Sequence, residues 1–168
     1  SPEYVAGFFD GEGTCSLIYS KVRRWKRNPD KHVFGFKLVI AIANTYKPIL
    51  EQLQLQFKGD LTPGSVIKKP WQKPVYAWKM TSTGPQRAFL FAIKPYCIIK
   101  ARQVELGLQY LETKVGPGQR LSQSAWDRCT EIFNEMRSLN RRGMPSEPKN
   151  AIPAAPTEGW NPAKRGYA

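Results

Sequence analysis

Alternation between apolar and small or polar residues is clearest across positions 34–43. A period of two residues predicts a half-buried strand, because successive side chains of an extended chain point to opposite faces of a sheet. The apolar face carries Phe34, Phe36, Leu38, Ile40 and Ile42. The open face carries Gly35, Lys37, Val39, Ala41 and Ala43. One face is therefore expected to join the core, and the other, being mostly small, to lie against a large partner.

The segment before this strand repeats the alternation. Its core-facing residues are expected to be Cys15, Leu17 and Tyr19, and its open-face residues Ser16, Ile18 and Ser20. Residues 21–31, which place cations around a tryptophan, predict a loop.

After the second strand, apolar residues at helical spacing predict a packing helix that ends at Gly59. These residues are Ile49, Leu50, Leu53 and Phe57. Residues 65–69 and 75–81 predict two more strands, joined by a cationic and aromatic loop around Trp71. In the later strand Tyr76, Trp78 and Met80 are expected to face the core, and Ala77 and Lys79 the open side.

Three helices are predicted in the C-terminal part. The first begins at Gly84 and ends before Pro95, the second spans 99–111, and the third begins at Ser124 with Asp127 three residues later. The buried stripe of the second is expected to be Ala101, Val104, Leu108 and Leu111. That of the third is expected to be Trp126, Cys129, Ile132, Phe133, Met136 and Leu139. Helices and strands in this order indicate an α+β fold.

The N-terminal helix is the most unusual element. Ser1 and Pro2 make a good helix start, and an apolar face carries Val5, Phe8 and Phe9. Gly7 and Gly11 fall together on another face, which Ala6 extends. Glycine inside a helix costs about 1 kcal/mol relative to alanine, so this bare face suggests that something approaches the backbone closely. A second helix is the natural candidate.

Asp10 and Glu12 end this helix among glycines, where the helix dipole is negative and acids are disfavoured. A divalent cation would resolve this, since carboxylate and carbonyl oxygens are its usual ligands. The alternative from these residues alone is a buried glycine-rich helix that ends in a solvated acidic turn.

The charge of the chain points to a polyanion as partner. Lys and Arg number 26 against 13 Asp and Glu, which gives the 168 residues a formal net charge of +13. Nucleic acid is the first candidate and an anionic membrane surface the second. No apolar run reaches the roughly 18 residues of a membrane span, and no signal-peptide pattern is present, so an intracellular location, cytoplasm or organelle, is expected.

The cysteines and the single histidine exclude several kinds of catalytic site. Cys15, Cys97 and Cys129 have apolar neighbours and no C-x-x-C spacing, which indicates buried free thiols in a reducing compartment. The only histidine, His32, lies in a polar segment, so we expect no Ser-His-Asp triad, Cys-His pair or histidine-rich zinc site. An enzyme of this composition would work with carboxylates, lysine and metal.

The run Val5-Ala6-Gly7-Phe8-Phe9-Asp10-Gly11-Glu12-Gly13 resembles the signature helix of the LAGLIDADG homing endonucleases. The resemblance implies an αββαββα fold with a four-stranded antiparallel, saddle-shaped sheet plus C-terminal helices, covering about residues 2–139. One motif copy implies a homodimer that packs through Ala6, Gly7, Asp10 and Gly11. The domain is expected to span 1–142, followed by a Pro-rich basic tail, 143–168, packed on the body, the partner or DNA.

The same resemblance implies a site-specific endonuclease, intron-encoded, that hydrolyses both strands of a long pseudo-palindromic DNA site and leaves short 3′ overhangs. Glu12, with the Gly11 carbonyl, is expected to bind Mg²⁺, for which Ca²⁺ is a non-productive substitute. Asp10 is expected to cap the partner helix or steady the turn. Lys100 matches a lysine that supports the attacking water or the phosphate. Asn44 falls where relatives carry a water-positioning glutamine, and Pro48 where an active-site arginine is expected.

Strand parity and charge nominate the DNA-binding residues that this resemblance requires. The open face of the sheet comprises Ser16, Ile18, Ser20, Lys37, Val39, Ala41, Lys68, Ala77 and Lys79. The cations suited to phosphate contacts are Arg23, Arg24, Lys26, Arg27, Lys69 and Lys73. Cations of this kind position a duplex, whereas contacts to base edges specify it.

Two other functions remain open on the same scaffold, an intron maturase that binds RNA and a non-catalytic DNA-binding regulator. Only the endonuclease requires Glu12 and metal. A basic ribosome-associated protein fits the charge but leaves the signature helix unexplained.

Overall fold

The structure is a computed structural model that describes residues 1–24, 32–64, 71, 73–114 and 121–140. Its elements are α1 (Pro2–Glu12), β1 (Gly13–Arg24), β2 (His32–Asn44), α2 (Lys47–Phe57), β3 (Asp60–Pro63), β4 (Tyr76–Met80), α3 (Thr83–Ile93), α4 (Ala101–Glu112) and α5 (Gln123–Leu139). This order confirms the predicted αββαββ arrangement followed by helices.

The four strands form one sheet in the order β1-β2-β4-β3, with every neighbouring pair antiparallel. Because β2 and β4 are not consecutive, α2 and β3 form the connection between them. β1 follows α1 directly, with Gly13 as both the helix C-cap and the first strand residue. The end of the signature helix therefore lies at one end of an edge strand.

One face of the sheet joins the helices in a continuous apolar core. Phe89 is fully buried and meets the rings of Phe9, Phe57 and Trp78 edge-on, with centroids 5.1–5.4 Å apart. A second aromatic group joins Phe36 to Trp126 and Phe133 of α5. Such edge-on ring pairs add about 0.5–1.5 kcal/mol each beyond simple burial. They fix the helices on the sheet, which leaves its other face open.

A buried glutamine closes the sheet where the β2–β4 ladder ends at the pair Ile40–Met80. The amide nitrogen of Gln86 donates to the carbonyls of Leu38, at 2.7 Å, and Met80, at 2.9 Å. The side chain thus hydrogen-bonds one carbonyl of β2 and one of β4 at this end of the ladder, in agreement with the rule that buried polar groups have partners.

Two predicted strand boundaries are corrected. Residues 21–24, expected in a loop, continue β1 and pair with β2 as far as Arg24 opposite His32, with an irregularity between Lys21 and Arg23. Charge does not prevent a strand when the backbone groups find partners across a hairpin. The chain also has a strand at Asp60–Pro63 that the pattern did not predict, whereas the predicted strand 65–69 lies outside the described residues.

The C-terminal helices differ from the prediction at their ends. α4 begins at Ala101 rather than at Ile99, because the amides of the preceding residues bind the Asp10 carboxylate. Ala101 itself is exposed, so it does not belong to the buried stripe. α5 begins one residue after Ser122, whose hydroxyl accepts from the Ala125 amide at 3.2 Å, so Ser122 and not Ser124 is the cap. At the far end of α5, Leu139 is 43% exposed and leaves the predicted stripe.

Three further observations bear on the sequence expectations. The thiols of Cys15, Cys97 and Cys129 are free and buried, as predicted. Within the described ranges, no helix is long and apolar enough to cross a membrane. The predicted tail, residues 143–168, lies outside the described residues.

Candidate active site and nucleic-acid interface

The site begins with the two sides of α1. The Ser1 hydroxyl accepts the Tyr4 amide and starts the helix, as predicted. One side buries Val5, Ala6 and Phe9 in the core. The other exposes Gly7, Gly11 and Glu12 to solvent.

The glycines of this segment fall into two groups. A Cβ added to Gly13 would lie 2.5 Å from the Phe9 carbonyl oxygen and would also meet the Phe9 ring. The fold itself therefore requires glycine there. A Cβ added to Gly7 or Gly11 would meet nothing within 4 Å, so no contact inside the described chain explains either residue.

Asp10 points into its own chain. Its carboxylate accepts the backbone amides of Ile98 at 2.7 Å, Ile99 at 3.1 Å and Lys100 at 2.9 Å. Since these residues lead into α4, Asp10 is an anionic cap on that helix. Two roles were predicted for Asp10, capping the partner helix or steadying the turn. The contacts agree with the second role, because all three amides belong to the same chain.

The surface predicted for dimerisation is corrected on this point. Ala6 is fully buried and Asp10 is only 9% exposed within the single chain. The helix turns these two residues towards the core because they share the face that carries Val5 and Phe9. Gly7 and Gly11 remain available to a partner.

Burial raises the pKa of the Asp10 carboxyl, but the three amide donors and the charge of Lys100 outweigh it, so its pKa lies below the ordinary value. Asp10 is therefore ionised at neutral pH. Burial, with the Asp10 charge, raises the pKa of the neighbouring Cys97 thiol to about 11. Cys97 is consequently protonated and is no nucleophile here.

Lys100 and Asp10 are joined by two hydrogen bonds. Its backbone amide binds the Asp10 carboxylate, and its ammonium nitrogen donates to the Asp10 carbonyl oxygen. This carbonyl lies in the last turn of α1, where carbonyl groups lack partners within the helix. The negative end of α1 and the positive end of α4 are thus joined by two reciprocal contacts, which hold the Lys100 ammonium at the Asp10 carbonyl, in the turn that ends with Gly11 and Glu12.

Glu12 contrasts with Asp10. It is the exposed last residue of α1, and no described side chain or backbone group hydrogen-bonds to its carboxylate or forms an ion pair with it. No group of three or more His, Cys, Asp and Glu residues able to hold a metal occurs within the described ranges. One carboxylate and nearby carbonyls fit a hard cation such as Mg²⁺ only if other molecules complete its coordination, for example phosphate oxygens or a second chain.

Asn44 lies at the same end of the sheet as Glu12, because Gly13 pairs with Ile42 two residues earlier in β2. Its side-chain oxygen accepts the Tyr46 amide at 2.8 Å and turns the chain towards α2. The side-chain oxygen of Asn44 is therefore already engaged in a hydrogen bond with its own chain. Its predicted role in positioning water stays a prediction, and Pro48 lies in the first turn of α2.

The register of the sheet brings the predicted open-face residues together. Ser16 pairs with Val39, Ile18 with Lys37, and Ala41 with Lys79. Paired residues point to the same face, so these six side chains share one surface. Lys37 and Lys79 are exposed, and Ser20 and Ala77 continue the alternation along β1 and β4.

The predicted phosphate-binding cations are only partly described. Arg23 and Arg24 lie in β1, but their side chains are outside the description, and Lys73 is exposed. Lys26, Arg27 and Lys69 lie outside the described residues, as does Lys68, which was predicted for the open face.

Three residues on the open face were missed: Thr14 pairs with Ala41, Asp60 with Lys79, and Thr62 with Ala77. Ala43, which the alternation placed on this face, pairs with Ala77. Strand parity alone would have nominated Thr14, since it precedes Ser16 by two. Asp60 and Thr62 carry no such signal, because a four-residue strand that ends in proline shows no readable alternation.

Comparison with protein-family models and with curated protein sequences finds no match. Solved structures do match. The homing endonuclease I-CvuI, in complex with the I-CreI target in the presence of Mg, superimposes with a TM-score of 0.65 at 14% identity, over 86% of this chain and 85% of its own. The archaeal intron-encoded homing endonuclease I-Vdi141I, complexed with DNA, gives a TM-score of 0.63 at 18% identity, over 85% and 86%.

A longer protein matches over part of its length. I-SmaMI, bound to an uncleaved DNA target in the presence of calcium ions, gives a TM-score of 0.61 at 18% identity, over 82% of this chain and 45% of its own. Identities this low show the fold alone. The chain therefore has the fold of LAGLIDADG homing endonucleases, and the resemblance carried by its signature helix is confirmed at that level.

Proposed function

We propose that this chain is a homodimeric, site-specific DNA endonuclease that hydrolyses both strands of its target with Mg²⁺. The observation that carries the proposal is the exposed Glu12 carboxylate at the end of a glycine-faced helix, with the Lys100 ammonium held in the same helix turn by the Asp10 carbonyl. This end of the helix adjoins an open sheet face that bears lysines. The net charge of +13 supplies the attraction for DNA, and the structural neighbours were solved as DNA complexes.

A second copy of the chain accounts for residues that the single chain leaves unexplained. Gly7 and Gly11 have open space above them. The neighbouring Ile98 and Ile99, whose amides bind Asp10, are 85% and 73% exposed. Two helices that meet at small residues approach closely, and the isoleucines then add apolar area at the margin. The chain covers 45% of I-SmaMI, which agrees with a domain that functions as a dimer.

A two-fold dimer brings both Glu12 carboxylates to its axis. Glu12 and the Gly11 carbonyl would bind the cation from each chain, with DNA phosphate oxygens completing the coordination. When bound, such a cation lowers the pKa of an attacking water and stabilises the leaving oxygen. Two equivalent sites cut both strands, and the symmetry selects a pseudo-palindromic target. Short 3′ overhangs and an intron origin belong to the same proposal.

Lys100 and Asp10 have separate roles in this proposal. The Lys100 ammonium has three donors, of which the Asp10 carbonyl uses one. The others remain for a phosphate oxygen or the attacking water. Asp10 touches neither DNA nor cation, and acts as a positioning residue that fixes the backbone and the ammonium of Lys100.

The test is cleavage of a randomised duplex library with Mg²⁺, comparing the wild-type protein, Glu12→Gln and a matched control, Glu112→Gln. Glu112 is also an exposed glutamate that ends a helix, α4, and no described group pairs with it. Wild type and Glu112→Gln are expected to yield ends that share one long, roughly palindromic site. Glu12→Gln is expected to lose cleavage by on the order of 10²–10³-fold while binding duplex normally.

Cleavage that survives Glu12→Gln would exclude Glu12 as the ligand. Binding without cleavage by all three proteins would point to a non-catalytic regulator. Preference for structured RNA over duplex DNA would point to a maturase.

A further inference from the structure

The C-terminal end of α5 reaches the edge of the sheet beside the open face. The side-chain nitrogen of Asn140 donates to the Cys15 carbonyl at 2.8 Å, although 125 positions separate the two residues. β1 is an edge strand, so its outward carbonyls have no strand partner. This hydrogen bond fixes the last turn of α5 against the start of β1.

An open groove of about 330 Å³ lies between α5 and β1. Its lining residues are Ser16, Leu17, Phe133, Met136, Arg137 and Asn140. The floor is apolar and the polar groups are a hydroxyl, a guanidinium and a carboxamide. No acidic residue lines the groove, and Ser16 belongs to the open face of the sheet.

Arg137 differs from the other arginines of α4 and α5. Arg102 pairs with Glu135 and Glu105, and Arg128 pairs with Glu131. Arg137 is half-buried, and no described residue hydrogen-bonds or ion-pairs with it. A cation in the last turn of a helix gains a few tenths of a kcal/mol to about 1 kcal/mol from the dipole, but that gain does not require a position in a groove.

We propose that Arg137, with Ser16 and Asn140, forms a binding site for a phosphate of the DNA backbone. Guanidinium, hydroxyl and amide groups are the usual donors to phosphate oxygens. The inference rests on the proposed DNA binding and adds a contact from the C-terminal helix to the contacts made by the sheet.

The site lies at the inner part of the DNA footprint. Ser16 is three residues from Gly13 along β1, a distance of about 10 Å at the rise of a strand. Gly13 adjoins Glu12, so the contacted phosphate lies close to the cleavage centre rather than at the outer end of the target. The long β1–β2 hairpin extends the other way, towards the outer end.

The test compares wild type with Arg137→Gln, Arg137→Lys and a matched control, Arg128→Gln. Arg128 lies on the same helix and points towards Glu131 and Gln109. Affinity for a mixed-sequence DNA duplex is measured without divalent metal over a range of salt concentrations, and thermal unfolding confirms that each variant folds. The slope of log affinity against log salt reports the number of phosphates neutralised.

Arg137→Gln is expected to reduce that slope by about 0.9 per chain. Arg137→Lys should keep most of the wild-type slope, because the charge is retained. Arg128→Gln should have the same slope as wild type. Phosphate-ethylation interference on the duplex site recovered in the cleavage test should show that Arg137→Gln lacks one contact near the centre of the footprint. A wild-type slope in the folded Arg137→Gln protein, or a lost contact at the outer end, would overturn the inference while leaving the proposed function intact.

Absence of duplex binding by wild-type protein would overturn the proposed function together with this site. A slope that falls for duplex RNA but not for duplex DNA would also overturn the assignment to DNA.

Discussion

The two sides of α1 differ in what explains their residues. On the inward side, contacts within the chain account for Asp10, which caps α4, and for Gly13, which leaves room for Phe9. On the outward side, nothing in the described chain accounts for Gly7, Gly11 or Glu12. Residues that a fold does not need, and that each carry a local cost, are expected to serve a partner. The helix and its C-cap thus carry residues that the fold requires on one side and residues expected to serve a partner on the other.

Gly13→Ala probes the inward side most strongly. A methyl group there would lie 2.5 Å from the Phe9 carbonyl oxygen, a backbone atom that cannot turn aside. Overpacking of this kind costs about 1–3 kcal/mol, and we expect the upper end because backbone must move. Chemical denaturation measures the change. A loss below about 0.5 kcal/mol would show that the end of α1 adapts more easily than these contacts imply.

Asp10→Ala should lower the free energy of unfolding by about 2 kcal/mol, because the cap on α4 and its charge-assisted hydrogen bonds are lost. Glu12→Ala, two positions away, should change it by less than about 0.5 kcal/mol. Denaturant titration of both variants measures the contrast. Equal losses would contradict the division of the helix into two sides.

In cleavage assays the ranking is reversed, because Glu12 is the proposed metal ligand and Asp10 only positions Lys100. Asp10→Ala is expected to lower the single-turnover rate and leave duplex affinity nearly unchanged, because Lys100 loses its backbone anchor and not its charge. A fall in affinity as large as the fall in rate would instead indicate general damage to the fold.

Gly7→Ala should raise the free energy of unfolding, whereas Gly13→Ala should lower it. Alanine fits the open space at position 7 and stabilises a helix interior by about 1 kcal/mol relative to glycine. The same methyl group is expected to obstruct a closely packed partner helix. Unfolding at low protein concentration and sedimentation at high concentration measure the two effects. Unchanged self-association with higher stability would remove the helix from the dimer interface.

The smallest expected effect is a dependence on pH. The pKa of Asp10 is lowered in the folded chain, so its contribution to stability is present above the unfolded pKa of about 3.9 and is lost as pH falls through the folded value. The stability difference between wild type and Asp10→Asn should therefore shrink as the solution is acidified below about pH 4. A difference that is constant with pH would show that charge adds nothing to the cap.

Periodic segments were the predictable part of the fold. The faces of β1, β2 and β4 agree with their alternation, because burial on one side imposes a period of two. Helix ends were less predictable, since Ser122 and Ser124 offer similar caps and only backbone geometry selects Ser122. β3 was missed because four residues with a terminal proline show no period.

For the candidate site, the sequence alone determined the residue types and their local order. Glu12 follows a glycine-faced helix, and Lys100 precedes another helix, whatever surrounds them. Tertiary structure decided that Ala6 and Asp10 face inward, that Lys100 reaches the Asp10 carbonyl, and that Asn140 meets Cys15. Local periodicity acts over a few residues, whereas contacts across 90 or 125 positions depend on how the whole sheet and its helices pack.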